Sequence, residues 1–586
     1  MKNFIFFIID AMTEAYVDID KDYSPTPFID SMKQNGIYCS NIYSQGPYTE
    51  AALTPFYTGL DNLSNGGNFF RGNEVDKTTF EILEENGYDV LCYTQPLIYP
   101  KTMGRGINEE RYGVSYFISA VWDYRLSYYK DLYLNNKIND KDYEKLYELL
   151  DSNFVFAIKS INEHDQNSFK YDFINKYACE YDSNKNKKIL EEEYYKFLMN
   201  KKDYIISLFN EGLSHRLFTV EKIDMSNKAN NEDIYKNIYA KYNKLFNKIS
   251  KMNKNSPSNN KYNFIRTILK LMGSTLKLDF KNNKNLLKKY YYYRRLCSTK
   301  KELNEMYNKR GNYKPEPSFM KYYEHFKGWL DNRNSDKPFF CMMHVSDLHT
   351  PEIFFSIDSM NQNEIEEELD VMEKYIDCLP KNFKGNIIYL LSMRFIDLCV
   401  ERIIADFSKS KYYKDTVILL SADHGSSFRL WPIRNQIVNN LHFENYKIPF
   451  VIYNYEYDKF KNENFYSTKD MMKTVLSIAN IKNDLPGKNI INNEESDYMI
   501  TEYLGGGCPD IYRREIQFAY RDSDYSIFAK QSIDAKSLDV FAVYDRRNDY
   551  FEEKNLIKKI DLKSIDNKIE LITKRYYQIK KMIKNS

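Results

Sequence analysis

The chain of 586 residues lacks several features that would settle its class at once. Its eight cysteines, Cys39, Cys92, Cys179, Cys297, Cys341, Cys378, Cys399 and Cys508, are scattered, and no two form a C-x-x-C pair. Such a pattern suits reduced thiols in a reducing compartment rather than a disulfide framework. No run of about 18 apolar residues occurs, so no membrane span is expected. The N-terminal apolar run, Phe4 to Ile9, is six residues long and ends at an acid. No small-residue cleavage site follows it, so a buried first strand is expected and not a signal peptide. A soluble, cytoplasmic protein is the expectation. An excess of one charge is missing too. Lys plus Arg is 84, Asp plus Glu is 82, and the net charge is +2. That balance gives no argument for a nucleic-acid partner, and none is expected. Histidine is scarce at seven residues, whereas tyrosine is abundant at 53, a compositional bias.

What is present is length and pattern. A hydrophobic fraction of 43% over 586 residues is enough for a large core and too much chain for a single one. Residues 1–119 alternate short apolar runs with helical periods. "NFIFFIID" reads as a buried strand, "TPFIDSMKQNG" as a helix ending at Gly36, and "IYCSNIYS" as a strand. "TTFEILEENG" reads as a helix ending at Gly87, and "YDVLCYTQ" as a strand. This alternation predicts an α/β sheet with parallel strands. Residues 120–335 are rich in Lys, Asn, Tyr and Glu, poor in Gly, and read as a helical insertion. The α/β pattern returns over 336–500, with "KPFFCMMHVSD", "SMRFIDLCVERIIADFSKS", "DTVILLSADHG", "YKIPFVIYN" and "STKDMMKTVLSIANI". Residues 501–586 read as a small α+β subdomain with antiparallel strands and a terminal helix.

Four places bear chemistry. Asp10 ends the first strand, and in open α/β sheets ligands bind off the carboxyl ends of strands. The same position on a later strand holds Asp423 and His424, a compact oxygen and nitrogen pair of the kind that binds metals. Thr49 opens "TEAALTPFYTG". It reads either as a helix N-cap or, because a helix N-terminus favours anions, as a hydroxyl nucleophile beside a bound phosphate or sulfate. Four of the seven histidines, His344, His349, His424 and His442, fall within one hundred residues. That clustering favours a site over isolated structural histidines.

The order of these motifs resembles the sulfatase-like branch of the alkaline phosphatase superfamily. "FIIDAM" looks like its metal-binding first strand, and "SPTPFIDSMKQNGIYCSNIYS" is similar to its T-P-N-x-D-x-L stretch. "TEAALTPFYTG" looks like the nucleophile helix, and "TTFEILEENGYDV" like T-x-x-x-x-L-x-x-x-G-Y. "HVSDLHTP" resembles D-x-H-x-P, and "YYKDTVILLSADHG" and "YKIPFVIYN" resemble the later metal strand and its V-P neighbour. "LPGKNI" and "VYDRRNDYFEEKNL" resemble the closing turns. The resemblance covers roughly residues 1–119 and 336–560. It departs at the reaction centre. Thr49-Glu50-Ala51-Ala52-Leu53 stands where sulfatases have C-x-P-x-R or S-x-P-x-R, so there is neither an oxidisable residue nor the Arg. The paired Asp of strand one is Asp10-Ala11 here, and no Lys occurs between Gly425 and Lys447.

The resemblance implies an alkaline-phosphatase-type sheet between helices and an enzyme of phospho-transfer type. Lipoteichoic acid synthases and phosphoethanolamine transferases have a similar set: one acid on strand one, a threonine, then Asp-His. On that pattern Asp10, Thr49, Asp423 and His424 hold one divalent ion, Mn²⁺ or Zn²⁺, with Mg²⁺ or Ca²⁺ as alternatives. Thr49 and His349 are catalytic, and His344 and His442 contact substrate. A second ion would need Asp347, His349 and His442. The expected substrate is a phosphorylated or sulfated small molecule or glycan, cleaved as a phosphomonoester or phosphodiester or transferred as a phosphoglycerol-type group. A sulfate-ester hydrolase and an inactive glycan- or anion-binding protein are the alternatives. The insertion is a candidate surface for self-association.

Overall fold

The computed structural model describes residues 1–14, 24–61, 63, 77–94, 105–112, 129–130, 132–134, 136–163, 183–211, 319–345, 347–348, 387–426, 441–456, 459–503, 515–531 and 537–584. Its frame is an eight-stranded sheet in the order β4-β3-β5-β1-β6-β7-β2-β8. The strands are β1 (Asn3–Ile9), β2 (Ile37–Tyr43), β3 (Asp89–Thr94), β4 (Glu109–Tyr112), β5 (Phe339–Val345), β6 (Thr416–Ser421), β7 (Lys447–Tyr453) and β8 (Phe460–Ser467). All seven residues of β1 and all seven of β5 are buried. Continuous apolar runs of this kind are what a parallel strand covered on both faces requires.

Both faces of the sheet are covered by helices, and β1 shows how. Phe6 meets Phe56 of helix α2 (Thr49–Thr58), with ring centroids 5.7 Å apart. Its neighbour Phe7 points the other way and meets Phe319, with centroids 5.0 Å apart. Alternate side chains of a strand face opposite sides, so one apolar run feeds two cores. Each such buried ring contributes about 1.5–3 kcal/mol. On the α2 side lie α3 (Thr79–Glu85) and α10 (Thr468–Ile478). On the other side α1 (Pro27–Asn35) and α7 (Phe319–Asn332) pack on α8 (Ile387–Phe407). The α1 amides at Phe28 and Ile29 donate to the Asp397 carboxylate of α8, at 3.1 and 2.8 Å. A neighbouring helix therefore supplies the N-terminal cap that Thr26 does not.

Two sequence expectations need correction. The main sheet is mixed and not wholly parallel, because β7 runs antiparallel to both β6 and β2. It also holds two strands that the pattern did not reveal, β4 and the edge strand β8. Between β4 and β5, the described helices α4 (Asp140–Glu163), α5 (Ser183–Met199) and α6 (Lys201–Glu211) build their own apolar cluster, including Leu146, Leu150, Phe154, Phe197 and Leu208. Near the C-terminus a four-stranded antiparallel sheet forms from β9 (Tyr498–Tyr503), β10 (Ile516–Asp522), β11 (Tyr525–Gln531) and β12 (Asp539–Asp545). The last helix, α11 (Asp566–Lys584), packs on it, Tyr576 against Phe518. This small sheet is fastened to the main one through the short helix α9 (Phe443–Tyr446). Arg521 and Glu552, each 1% exposed, pair at 2.9 Å, and Glu552 also accepts the Phe443 amide at 2.8 Å. No described helix is long and apolar enough to cross a membrane.

Candidate active site and metal centre

Strand register brings the site together. Ile8 of β1 pairs with His344 of β5 on one side and with Ser421 of β6 on the other. Paired residues of parallel strands point to the same face, as do residues two apart along one strand. His344, Asp10 two residues after Ile8, and Asp423 two residues after Ser421 therefore project from one face at the carboxyl edge. It is the face covered by α2. On the far side of β5, Tyr93 of β3 pairs with Met343, which sets Thr94 beside His344. The Thr94 Oγ1 lies 3.1 Å from His344 Nδ1.

The resulting cluster is buried and dense in charge. Asp10 is 3% exposed, and His344 and Asp423 are 0% exposed. Each of the three offers a ligand atom within 4.8 Å of the other two. His344 Nε2 lies 3.5 Å from Asp423 Oδ2 and 3.8 Å from Asp10 Oδ2. His424 Nε2 lies 3.4 Å from Asp10 Oδ1 and 3.5 Å from Asp423 Oδ2. The His424 Nδ1 is 2.6 Å from the Gly425 carbonyl, to which it must donate. Its Nε2 is left to face the two acids. Gly425 is required here because a Cβ would collide with the Glu444 carbonyl oxygen.

Three buried atoms in this cluster have no hydrogen-bond partner: Asp10 Oδ1, Asp423 Oδ2 and His344 Nε2. Buried polar atoms are almost always paired, so three converging exceptions call for a bound group. Their spacing suits a divalent ion, since ligands about 2.0–2.2 Å from a shared ion stand roughly 3–4 Å apart. Without such a cation the carboxylates strain against each other. Burial, then the charge of Asp423, pushes Asp10 up to about 7. Burial also opposes ionisation of Asp423, but His424 and His344 outweigh it and hold Asp423 below the usual carboxylate range. Burial would lower His344, yet Asp423 and Asp10 raise it.

Thr49 faces this cluster. The N-cap of α2 is Tyr48, and its side chain makes no cap bond, so Thr49 is the first helical residue and not the cap. Its Oγ1 is 3.4 Å from His424 Nε2 and 3.5 Å from Asp10 Oδ2. The turn after Asp10 is held tightly. Ala11 adopts φ 65°, the left-handed region that a residue with a Cβ rarely enters, and gives its amide to Asp423 Oδ1 at 3.1 Å. From α8, Tyr389 donates its hydroxyl to the Ala11 carbonyl at 2.7 Å and accepts the Thr13 amide at 3.0 Å.

The expected residues separate into three groups. Asp10, Thr49, Asp423 and His424 come together. His344, expected to contact substrate, is instead wedged between the two acids at the base of the cluster. His442, expected to contact substrate, uses both ring nitrogens within the protein. Nε2 donates to the Phe551 carbonyl at 2.9 Å, and Nδ1 faces the Glu444 amide at 3.5 Å. Asp347, suggested for a second ion, accepts the Phe319 amide at 3.1 Å at the start of α7. His349 lies outside the described residues. Sequence reasoning missed Thr94 and Tyr389, and only their positions beside His344 and Ala11 reveal them. Lys447, the first lysine after Gly425, opens β7 and gives its Nζ to the Tyr550 hydroxyl at 2.8 Å.

The match to a family model, over most of the chain, puts the protein among the hydrolases of the alkaline phosphatase superfamily. Within it the chain belongs to the sulfatase family, whose model, described as Sulfatase, matches residues 2–224 and 240–481. Enzymes of this family generally use a divalent metal, and the Asp10, His344 and Asp423 cluster could hold one. No curated protein sequence matches the chain. Among solved structures, the chain is similar to BT1596, a 2-O GAG sulfatase, at 11% identity and a TM-score of 0.50, over 99% of this chain and 92% of that one. The phosphonate monoester hydrolase of Agrobacterium radiobacter is similar at 12% identity and a TM-score of 0.48, over 99% and 95%. BT4656, solved with its substrate D-glucosamine-2-N,6-O-disulfate, is similar at 12% identity and a TM-score of 0.44, over 99% and 98%.

Proposed function

We propose that this protein is a metal-dependent hydrolase of phosphate esters with Thr49 as its nucleophile. The observation that supports this most is the placing of the Thr49 hydroxyl. It caps no helix and faces Asp10 and His424 across the edge of the sheet. A divalent ion held by Asp10, Asp423 and His424 with Thr49, Zn²⁺ or Mn²⁺ in this reading, would lower the pKa of that hydroxyl and offset charge on a substrate oxygen.

The protein's own groups account for the remaining steps. The first turn of α2 offers its amides and the positive end of its dipole to the phosphoryl group. Asp10 Oδ2, 3.5 Å away, accepts the Thr49 proton, while the His424 Nε2 lone pair is kept for the ion. The Thr49 oxygen attacks phosphorus, the ester P–O bond breaks, and a phosphothreonine forms. His349, on sequence position five residues past His344, is proposed to protonate the leaving oxygen. Water then cleaves the phosphothreonine and frees Thr49. An acceptor hydroxyl in place of water would make the same chain a transferase of a phosphoglycerol-type group. The substrate class is an anionic ester of a small molecule or glycan.

Hydrolysis of a sulfate ester is the second reading, and the family match favours it. The absence of a cysteine or serine at position 49 and of an arginine at position 53 weighs against it. Nitrophenyl release from a phosphomonoester, a phosphodiester and a sulfate, with Zn²⁺ or Mn²⁺ present, separates the readings. Turnover of a phosphate ester that disappears in Thr49→Ala supports the proposal. Turnover of the sulfate alone overturns it.

A further inference from the structure

We infer that His344 is a metal ligand, and that it tilts this site toward Zn²⁺ and away from Ca²⁺ and Mg²⁺. The inference rests on the reading of the cluster as a metal centre and goes beyond it in naming a donor and a selectivity.

The geometry points to His344 as a donor in three ways. Its Nε2 is fully buried, has no hydrogen-bond partner, and lies 3.5 and 3.8 Å from carboxylate oxygens of Asp423 and Asp10. Those oxygens belong to the same two residues that His424 Nε2 approaches from another side, at 3.4 and 3.5 Å. Its other nitrogen, Nδ1, is engaged by Thr94 Oγ1 at 3.1 Å. With Thr94 accepting a proton from Nδ1, the Nε2 lone pair is left for the ion. Such a partner on the distal nitrogen accompanies nearly every histidine that ligates a metal.

The consequence is chemical. Residue 11, next to the Asp10 ligand, is alanine and contributes only its amide, given to Asp423. Two carboxylates, two imidazoles and the Thr49 hydroxyl then face the ion, where a further acid would have made three carboxylates. Imidazole nitrogen suits Zn²⁺, whereas Ca²⁺ and Mg²⁺ take oxygen ligands, Ca²⁺ with six to eight of them. Three oxygen-bearing residues and two nitrogens fall short of the six to eight oxygens that Ca²⁺ takes.

Calorimetric titration of the metal-stripped full chain tests this, with Zn²⁺, Mn²⁺, Mg²⁺ and Ca²⁺ each added alone. The native protein is expected to bind Zn²⁺ at least about 100-fold more tightly than Ca²⁺ or Mg²⁺. His344→Ala should lose on the order of 100-fold in Zn²⁺ affinity and much of the discrimination against Ca²⁺. Thr94→Val keeps the imidazole but removes its partner, and should lose roughly tenfold. Zn²⁺ affinity in folded His344→Ala within about twofold of native would overturn the inference. If His344→Ala does not fold by circular dichroism, unchanged Zn²⁺ affinity in Thr94→Val overturns it instead. Asp423→Asn separates this failure from that of the parent reading. A native protein that binds no ion, or one whose binding survives Asp423→Asn, removes the metal centre itself. Loss in Asp423→Asn with none in His344→Ala removes only His344.

Discussion

The Oγ1 of Thr49 and the Nε2 of His424 meet at 3.4 Å although 375 positions separate them in the chain. If the hydroxyl is the nucleophile, Thr49→Ala should lose turnover by on the order of 10³–10⁶-fold, with KM and melting temperature little changed. Thr49→Ser, which retains a hydroxyl, should restore a measurable part of it. Steady-state kinetics on the preferred nitrophenyl ester provide the check, and Thr49→Ala at native rates would refute the assignment.

Stability of the metal-free protein should fall as pH rises. Asp10 has an ordinary value of 3.8 and is pushed up to about 7 in the fold. A raised folded value adds stability that is complete below 3.8 and lost as pH climbs through about 7. His344 is also raised, so its contribution has the same sign. Asp423 is lowered, and its contribution disappears only in strong acid. Melting in EDTA between about pH 5 and 8 should therefore show a decline. Asp10→Asn should flatten that decline, and added Zn²⁺ should raise the melting point most at the upper end.

Tyr389 stands outside the cluster but should matter to it. Tyr389→Phe removes one hydroxyl and with it two bonds to the backbone at Ala11 and Thr13. Leaving those buried groups unpaired should cost about 1–3 kcal/mol. Because the same turn carries Asp10, Zn²⁺ affinity should fall as well, by up to roughly tenfold. Thermal melting and titration on one preparation would separate the two effects.

The clasp between the two sheets is a buried ion pair. Glu552→Ala would leave the Arg521 guanidinium buried without its carboxylate and the Phe443 amide without its acceptor. A loss of about 3–5 kcal/mol is expected. Replacing both partners with apolar residues of similar volume should cost much less. Denaturant unfolding of the single and double variants measures the difference.

The frame was legible in the sequence where apolar runs were long and ended at turn residues. "NFIFFII" and "TVILLS" could hardly be other than buried strands, and both are entirely buried. Direction is not legible, because a covered strand has the same composition whether parallel or antiparallel, and the antiparallel β7 is an instance. The edge strand β8, "FKNENFYS", has polar residues facing out along much of its length and gives no apolar signal. Asp10, Asp423 and His424 announced themselves by ending strands. His344 lies inside the run "FFCMMHV", where nothing in the spacing separates a ligand from a structural histidine. Its place between the two acids emerges from the register with Ile8, which is a property of two strands and not of one. Thr49 was ambiguous for a similar reason, since a cap and a first helical residue differ by one position.

The three strands that meet at the cluster come from the beginning, the middle and the later part of the chain. A polypeptide emerging from the ribosome presents Asp10 and Thr49 early, His344 only after the long segment between β4 and β5, and Asp423 later still. If the cluster holds the proposed ion, its full set of donors exists only once β6 has closed against β1. A chain cut short before Thr416 has no Asp423 or His424, and a mispaired sheet has no common face on which to gather these groups. Metal retention by purified protein would then report the fraction of chains whose central strands are correctly joined.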